Sequence, residues 1–203
     1  MSAEHEQIYY LLAPSRDTAL SSAYMEALKA KDLEVLLLYS TVDEFVMTNL
    51  MSYAGKSLVS AEQAKLSVAS DDTEGADALG GEEADELKKW LAETVPGVRE
   101  VELSSRLVDS PAIVVGHESA SMRRVMSMVE SGVAPQLPPQ KLEINGKHPI
   151  IRQLATLRTS NADLANVVAR QVFSNALISA GLLDDPRTML TDINQILEHA
   201  SRG

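Results

Sequence analysis

Leu183-Asp184-Asp185-Pro186-Arg187 separates two apolar-periodic segments at the end of this sequence. The first runs from Asn161 to Ala180 and closes on Gly181; the second, Pro186 to Ala200, opens with an acid and a proline. Glycine just past a helix and proline just inside one are stop and start signals, so the region reads as a helical hairpin. Asp184-Asp185 fits a helix cap, accepting backbone N–H bonds ahead of Pro186, better than a catalytic pair. Met189, Leu190, Ile193, Ile196, Leu197 and Ala200 recur at helical spacing, as do Leu164, Val167, Val168, Val172 and Ile178 before them. Two helices of roughly 15–20 residues, about 22–30 Å long, cannot cover both stripes between them. Either the rest of the same chain hides the surplus or a second copy does. The pattern favours the second copy, with a two-fold axis completing a four-helix bundle. The expected seam is Leu164, Val168, Val172, Met189, Ile193, Ile196 and Leu197. An interface of standard size would bury on the order of 1,200–2,000 Å².

Working outward, 203 residues allow one large domain or two small ones, and a hydrophobic content of 45% allows a real core. Twenty-nine acids against 18 bases give a net charge of −11, which disfavours phosphate-backbone contacts and so nucleic acid. There is no cysteine, hence no disulfide, thiolate metal site or thiol nucleophile. No run of about 18 apolar residues suggests a membrane span, and Ile8–Leu12 is too short for a signal-peptide core. A strand-like run so near the start suggests a piece of a longer protein.

Ile8-Tyr9-Tyr10-Leu11-Leu12, Val35-Leu36-Leu37-Leu38-Tyr39 and Leu58-Val59 are apolar runs, with helical spacing between them at Tyr24, Met25 and Leu28 and from Asp43 to Met51, which Gly55 closes. That order predicts a small three-stranded parallel α-β-α unit over residues 1–66, an α/β arrangement with right-handed crossovers. Residues 67–81 are small, acidic and glycine-bearing and predict a flexible linker or loop. Residues 82–203 restart the pattern as an α+β domain. A helix over Glu82–Val95 carries Leu87, Trp90 and Leu91 and has acids in its first turn. An alternating strand follows at Val98–Ser104, then Ala112–Val115, a helix over Glu118–Glu130, a proline connector at Val133–Gln140, a brief strand at Leu142–Ile144 and a helix with Pro149 at its first position.

Chemical motifs are sparse. The first loop, Ala13-Pro14-Ser15-Arg16-Asp17, has no glycine with which to wrap a phosphate. His5, His117, His148 and His199 show no metal-ligand spacing, and His148 before Pro149 suits a helix start. No Gly-x-Ser-x-Gly elbow is present. No catalytic, cofactor-binding or metal residue is therefore assigned. Met122, Val125, Met126 and Val129 lie at i, i+3, i+4 and i+7. They fit ordinary core packing or, because methionine repacks with little strain, an adaptable surface for apolar partners. Two rival readings are a small α/β enzyme, its site at the ends of Ile8–Leu12 and Val35–Tyr39, and a purely structural oligomerisation module.

Several stretches together carry a resemblance. They are Ile8-Tyr9-Tyr10-Leu11; Lys31 to Tyr39; Val42-Asp43-Glu44-Phe45; Gly55 to Ser60; Ser105-Arg106-Leu107 with Ser110-Pro111-Ala112; Leu142-Glu143-Ile144-Asn145 with His148; and Ala180 to Arg187. With them the chain resembles, over nearly all its length, the end of the middle domain and the C-terminal dimerisation domain of the ninety-kilodalton heat-shock chaperones. The last stretch is most similar to the mitochondrial branch of that family, with a cytoplasmic location if the source is bacterial. The resemblance implies a homodimer through the last two helices. It implies contact with partly folded client proteins through Met122 and Met126, on the helix that also carries Val125 and Val129, and through Phe45 beside Glu44. It implies a stress-response, protein-folding role. Nucleotide hydrolysis, with ATP and Mg, is expected upstream in the parent protein and not in this stretch. The ending Ala200-Ser201-Arg202-Gly203 is not a Met-Glu-Glu-Val-Asp tail, so tetratricopeptide cochaperones that bind such tails are not expected.

Overall fold

The computed structural model describes residues 6–68, 79–117, 137–183 and 185–202. It contains two compact units. Among the described residues the first holds 6–68 together with Ser105–Val108, and the second holds the remainder.

In the first unit, β1 (Gln7–Leu12) is followed by α1 (Arg16–Leu20), a 3-10 turn (Ala23–Met25), α2 (Glu26–Ala30), β2 (Val35–Leu38), α3 (Thr41–Leu50), β3 (Ser52–Tyr53) and β4 (Lys56–Ser60). The sheet order is β2-β1-β4-β3. β1 pairs in parallel with β2 and with β4, Tyr10 lying opposite Leu36 on one side and Ser60 on the other. Ile8, Tyr9, Tyr10 and Leu11 are all buried, as a central parallel strand covered on both faces requires. The sheet has a fourth strand in addition to the three expected. β3 runs antiparallel to β4, and a Ser-Tyr pair carries no apolar run by which to find it. Gly55 does not close α3. It turns the β3–β4 hairpin at φ +78°, while the helix stops at Leu50 with Met51 at φ 54°.

The second unit begins with α4 (Gly81–Thr94), then β5 (Val98–Leu103), β6 (Ala112–Val115), β7 (Gln140–Ile144), α5 (Pro149–Ser160), α6 (Ala162–Ser179), a 3-10 turn (Pro186–Met189) and α7 (Leu190–Arg202). Its sheet order is β5-β7-β6, with β7 parallel to β5 and antiparallel to β6. The brief strand expected around Leu142 is thus the central one, and Leu142 and Ile144 are fully buried. In β5 only Val98 and Val101 are buried. A register shift between Val98 and Glu100 replaces strict alternation, as a β-bulge does. Lys141 on β7 reaches Glu102 at 2.7 Å and Glu100 at 3.5 Å on this strand.

α6 packs on β6 and α5, and Leu87, Leu91, Ile113, Val114, Ile151 and Leu154 fill the core. Gly97, at φ +88°, lies so close to Phe173 that a Cβ there would sit 3.3 Å from its ring. His148 caps α5, its Nδ1 accepting from the Ile150 N–H at 3.1 Å ahead of Pro149. Gln171 is buried on α6; its amide donates to Asn175 Oδ1 at 2.8 Å, but its own Oε1 has no donor among the described residues. An orphaned buried acceptor costs about 1–3 kcal/mol. Gln171→Leu should therefore raise the urea midpoint of this unit by an amount equivalent to roughly 1 kcal/mol. A fall of that size would show that the amide is satisfied in solution.

Candidate functional site

Two faces stand out, one in each unit. The first is built on α3. Ser40 accepts from the Val42 N–H and the Asp43 carboxylate accepts from the Ser40 N–H, each at 3.3 Å, a reciprocal capping box that starts the helix. No α3 residue is buried. Val42 is 67% exposed, and Val46 and Leu50 continue its stripe at i+4 and i+8. Met51 and Tyr53, 70% and 66% exposed, extend the apolar surface beyond the helix end. Phe45 is half-buried on this stripe, and Asp43 borders it next to Leu50.

Glu44 is half-buried and lies on the far side of α3 from Val42. Its negative charge helps to raise the pKa of Tyr10, behind burial as the first cause. It also acts on Glu62, whose carboxyl is pushed up to about 7 by burial first and by Glu44 second, against the lowering effect of Arg106. The structure therefore separates the adjacent pair, with Phe45 on the open stripe and Glu44 in the electrostatics beneath it.

Arg106 is the feature here that sequence reasoning missed. Its guanidinium is buried. Nη1 donates to the carbonyls of Ala61, Glu62 and Ala64 at 3.4, 3.3 and 3.1 Å, and Nη2 donates to Glu62 O at 3.4 Å. The group stacks 5.5 Å from the Tyr24 ring centroid. Val68 N–H donates to Ser105 O at 2.8 Å, and Val108 N–H to Glu26 Oε2 at 2.6 Å. These bonds fasten Ser105–Val108 into the first unit. Long-range partners of this kind leave no local pattern; the Ser-Arg-Leu motif was the only available sign.

The second face is the terminal hairpin. Gly181 ends α6 at φ 65°, and Asp185 caps the following 3-10 turn, accepting from the Arg187 N–H at 3.0 Å. Asp184 lies outside the described residues. A bidentate pair, Arg170 Nε to Asp192 Oδ2 at 3.0 Å and Nη2 to Oδ1 at 2.7 Å, holds α7 against α6. No residue of α7 is buried. Leu190, Ile193, Leu197 and Ala200 are spaced 3-4-3, the seam of paired helices. Leu197 is 60% and Leu190 52% exposed, while Ile193, Ile196, Leu164 and Val168 are half-buried. Val172 and Met189, named with them from the sequence, are buried within the single chain. Leu190 and Ile178, on the same stripes but outside the expected seam, are exposed.

Met122, Val125, Met126 and Val129 lie outside the described residues. Among the described residues no group of His, Asp or Glu is placed to hold a metal ion, and no helix is long and apolar enough to cross a membrane.

Comparison with known proteins places these faces in a family. The model of the Hsp90 protein family matches residues 1–202. The chain is 39% identical over 201 residues to the mitochondrial TNF receptor-associated protein 1 homolog of Dictyostelium discoideum, covering 98% of this chain and 28% of that protein. It is 41% identical over 211 residues to the chaperone protein HtpG of Desulfotalea psychrophila, covering 98% and 34%. With the mitochondrial heat shock protein 75 kDa of Bos taurus it shares 35% identity over 211 residues, covering 98% and 30%. The chain thus spans about a third of the length of these relatives, and it belongs to the Hsp90 family of chaperones.

Proposed function

We propose that this chain is the dimerisation and client-contact portion of an ATP-dependent chaperone, spanning the end of the middle domain (1–66), a linker (67–81) and the C-terminal domain (82–203). The observation that carries the reading is α7, a terminal helix with a 3-4-3 apolar stripe and no buried side chain. Water disfavours such a stripe by roughly 25 cal/mol for each Å² left open. A second copy related by a two-fold axis removes it from water on both chains at once.

The mechanism is mechanical. Pairing at α6 and α7 holds two upstream arms at high effective concentration, so that nucleotide-driven closure becomes an intramolecular event. ATP and Mg act in those arms; no residue of this stretch has a catalytic role. Partly folded clients meet Phe45 and the α3 stripe, with Met122, Val125, Met126 and Val129 as a second contact and Glu44 setting the local field. A mitochondrial location suits the kinship with the mitochondrial proteins, and a cytoplasmic one suits the HtpG kinship.

Light scattering on the chain should give twice 22.0 kDa, and the same sample should show no ATP turnover. A mass of 22.0 kDa at micromolar concentration excludes the dimer. For client contact, Phe45→Ala in the full-length protein should weaken suppression of aggregation of an unfolded substrate while leaving the dimer intact. Undiminished suppression removes Phe45 from the contact surface.

A further inference from the structure

Between β5 and β6 the chain leaves the second unit for four residues, Ser105–Val108, which belong to the first. Both ends of this excursion are tied down at the C-terminal end of β7. Ser104 N–H donates to Ile144 O at 2.8 Å, and Ser104 Oγ donates to Glu143 Oε2 at 2.9 Å. On the return, Asn145 N–H donates to Pro111 O at 2.8 Å and Asn145 Nδ2 to Ser110 O at 3.2 Å. The excursion is therefore a short loop whose base is closed within the second unit and whose tip completes the first.

Of the four residues only Arg106 and Leu107 are buried; Ser105 and Val108 are exposed. Directed polar bonds do most of the holding. Ser105 O accepts from Val68 N–H at the start of the tip, and Val108 N–H donates to Glu26 Oε2 at its end. Between them the Arg106 guanidinium enters the carbonyls of Ala61, Glu62 and Ala64 over the Tyr24 ring. It reaches them only when the backbone on both sides is seated, so these bonds form and break together. Because the base stays closed, letting go of the tip opens no long loop and draws no strand from either sheet. A segment with so few buried apolar side chains opens well below the free energy of global unfolding. We propose that Ser105–Val108 is a releasable strap of the first unit, with Arg106 as its plug, leaving and re-entering as one piece while both sheets stay intact. Docked, it gives the chain a second hold on the first unit besides the passage that follows Val68; released, only that passage remains. Neither the dimer nor the client contact is needed for this behaviour.

Amide hydrogen exchange on the whole chain, followed by NMR at low urea concentrations, tests it. The Val68 and Val108 amides should exchange through one shared opening that depends weakly on urea, since little surface is exposed. The Ala13 and Ala61 amides, bonded to Leu38 O and Tyr10 O beside β1, should exchange more slowly and with a steep urea dependence. Glu26→Ala removes the acceptor of Val108 alone, yet it should speed exchange at both Val108 and Val68 by about tenfold. The Ser104 and Asn145 amides at the base should keep their parent rates. Arg106→Met should speed Val68 and Val108 further. Circular dichroism checks that both variants keep the parent fold.

If Val68 and Val108 share the slow rate and steep urea dependence of Ala61, the tip opens only when the first unit unfolds, and the strap is a fixed brace. Acceleration of Val108 alone in Glu26→Ala means that the two ends fray separately, which overturns release as one piece. Acceleration of Ser104 or Asn145 together with Val68 means that the base opens too, and the strap as drawn falls.

Discussion

Ile193→Asp should turn the protein into a monomer of 22.0 kDa in light scattering. Ile193 lies between Leu190 and Leu197 on the α7 stripe and is only half-covered by its own chain. In a two-fold bundle the new carboxylate would be desolvated on each copy, and the same charge would be introduced twice at one seam. A buried charge without a partner costs several kcal/mol. Each 1.4 kcal/mol is a factor of ten in the dissociation constant, so a nanomolar dimer would weaken by roughly a thousandfold or more. The hairpin itself should survive, because the Arg170–Asp192 pair that joins α7 to α6 is untouched. Gln195→Asp places the same charge on the opposite, exposed face of α7 and should remain a dimer. If Ile193→Asp keeps the parent mass, α7 is not the seam and the bundle is wrong.

This test also marks where sequence reading stopped. Helical periodicity identified the stripes on α6 and α7 but could not say which part of each the chain covers itself. Val172 and Met189 repeat with the right spacing and are nevertheless buried in one copy. Leu190 repeats equally well and stays open. The parallel strands β1, β2 and β4 were legible because buried parallel strands need apolar runs. β3 was not, since Ser52-Tyr53 has none. β7 was read as brief because it opens with Gln140 and Lys141; their polarity is accommodated by burial of Gln140 and by the Lys141 pairs to Glu100 and Glu102. Arg106 was illegible for a different reason. A Ser-Ser-Arg stretch reads as surface, and the carbonyls that bury its guanidinium lie 42 to 45 residues earlier in the chain.

That buried arginine and its neighbour give the second large effect: stability of the first unit should fall between about pH 4.5 and pH 7, and Glu62→Gln should remove most of the fall. In the folded protein the Glu62 carboxyl is pushed up to about 7 from the ordinary glutamate value of 4.5. Burial disfavours the carboxylate, and the negative charge of Glu44 adds to this. The folded state therefore keeps the proton over a range in which the unfolded state releases it. The stability this lends is complete below the unfolded value, shrinks as pH rises, and is gone above the folded value.

At 1.36 kcal/mol per unit, and discounted for the water that reaches a half-buried carboxyl, the loss is on the order of 2–3 kcal/mol. Glutamine keeps the shape and cannot ionise. Glu62→Gln should match the parent near pH 4.5 and exceed it at pH 8 by that amount, read from urea midpoints of the first unit. Taking the difference between variant and parent cancels the titrating groups that are not coupled to Glu62. Arg106 provides a check of opposite sign. It lowers the Glu62 pKa, so Arg106→Met should extend the declining range to higher pH, besides destabilising the fold through loss of its bonds to Ala61, Glu62 and Ala64. Glu44→Gln removes a raising influence and should shorten the range. Parallel pH profiles for Glu62→Gln and the parent would mean that Glu62 is solvated in the folded protein and that the Arg106 neighbourhood carries no such coupling.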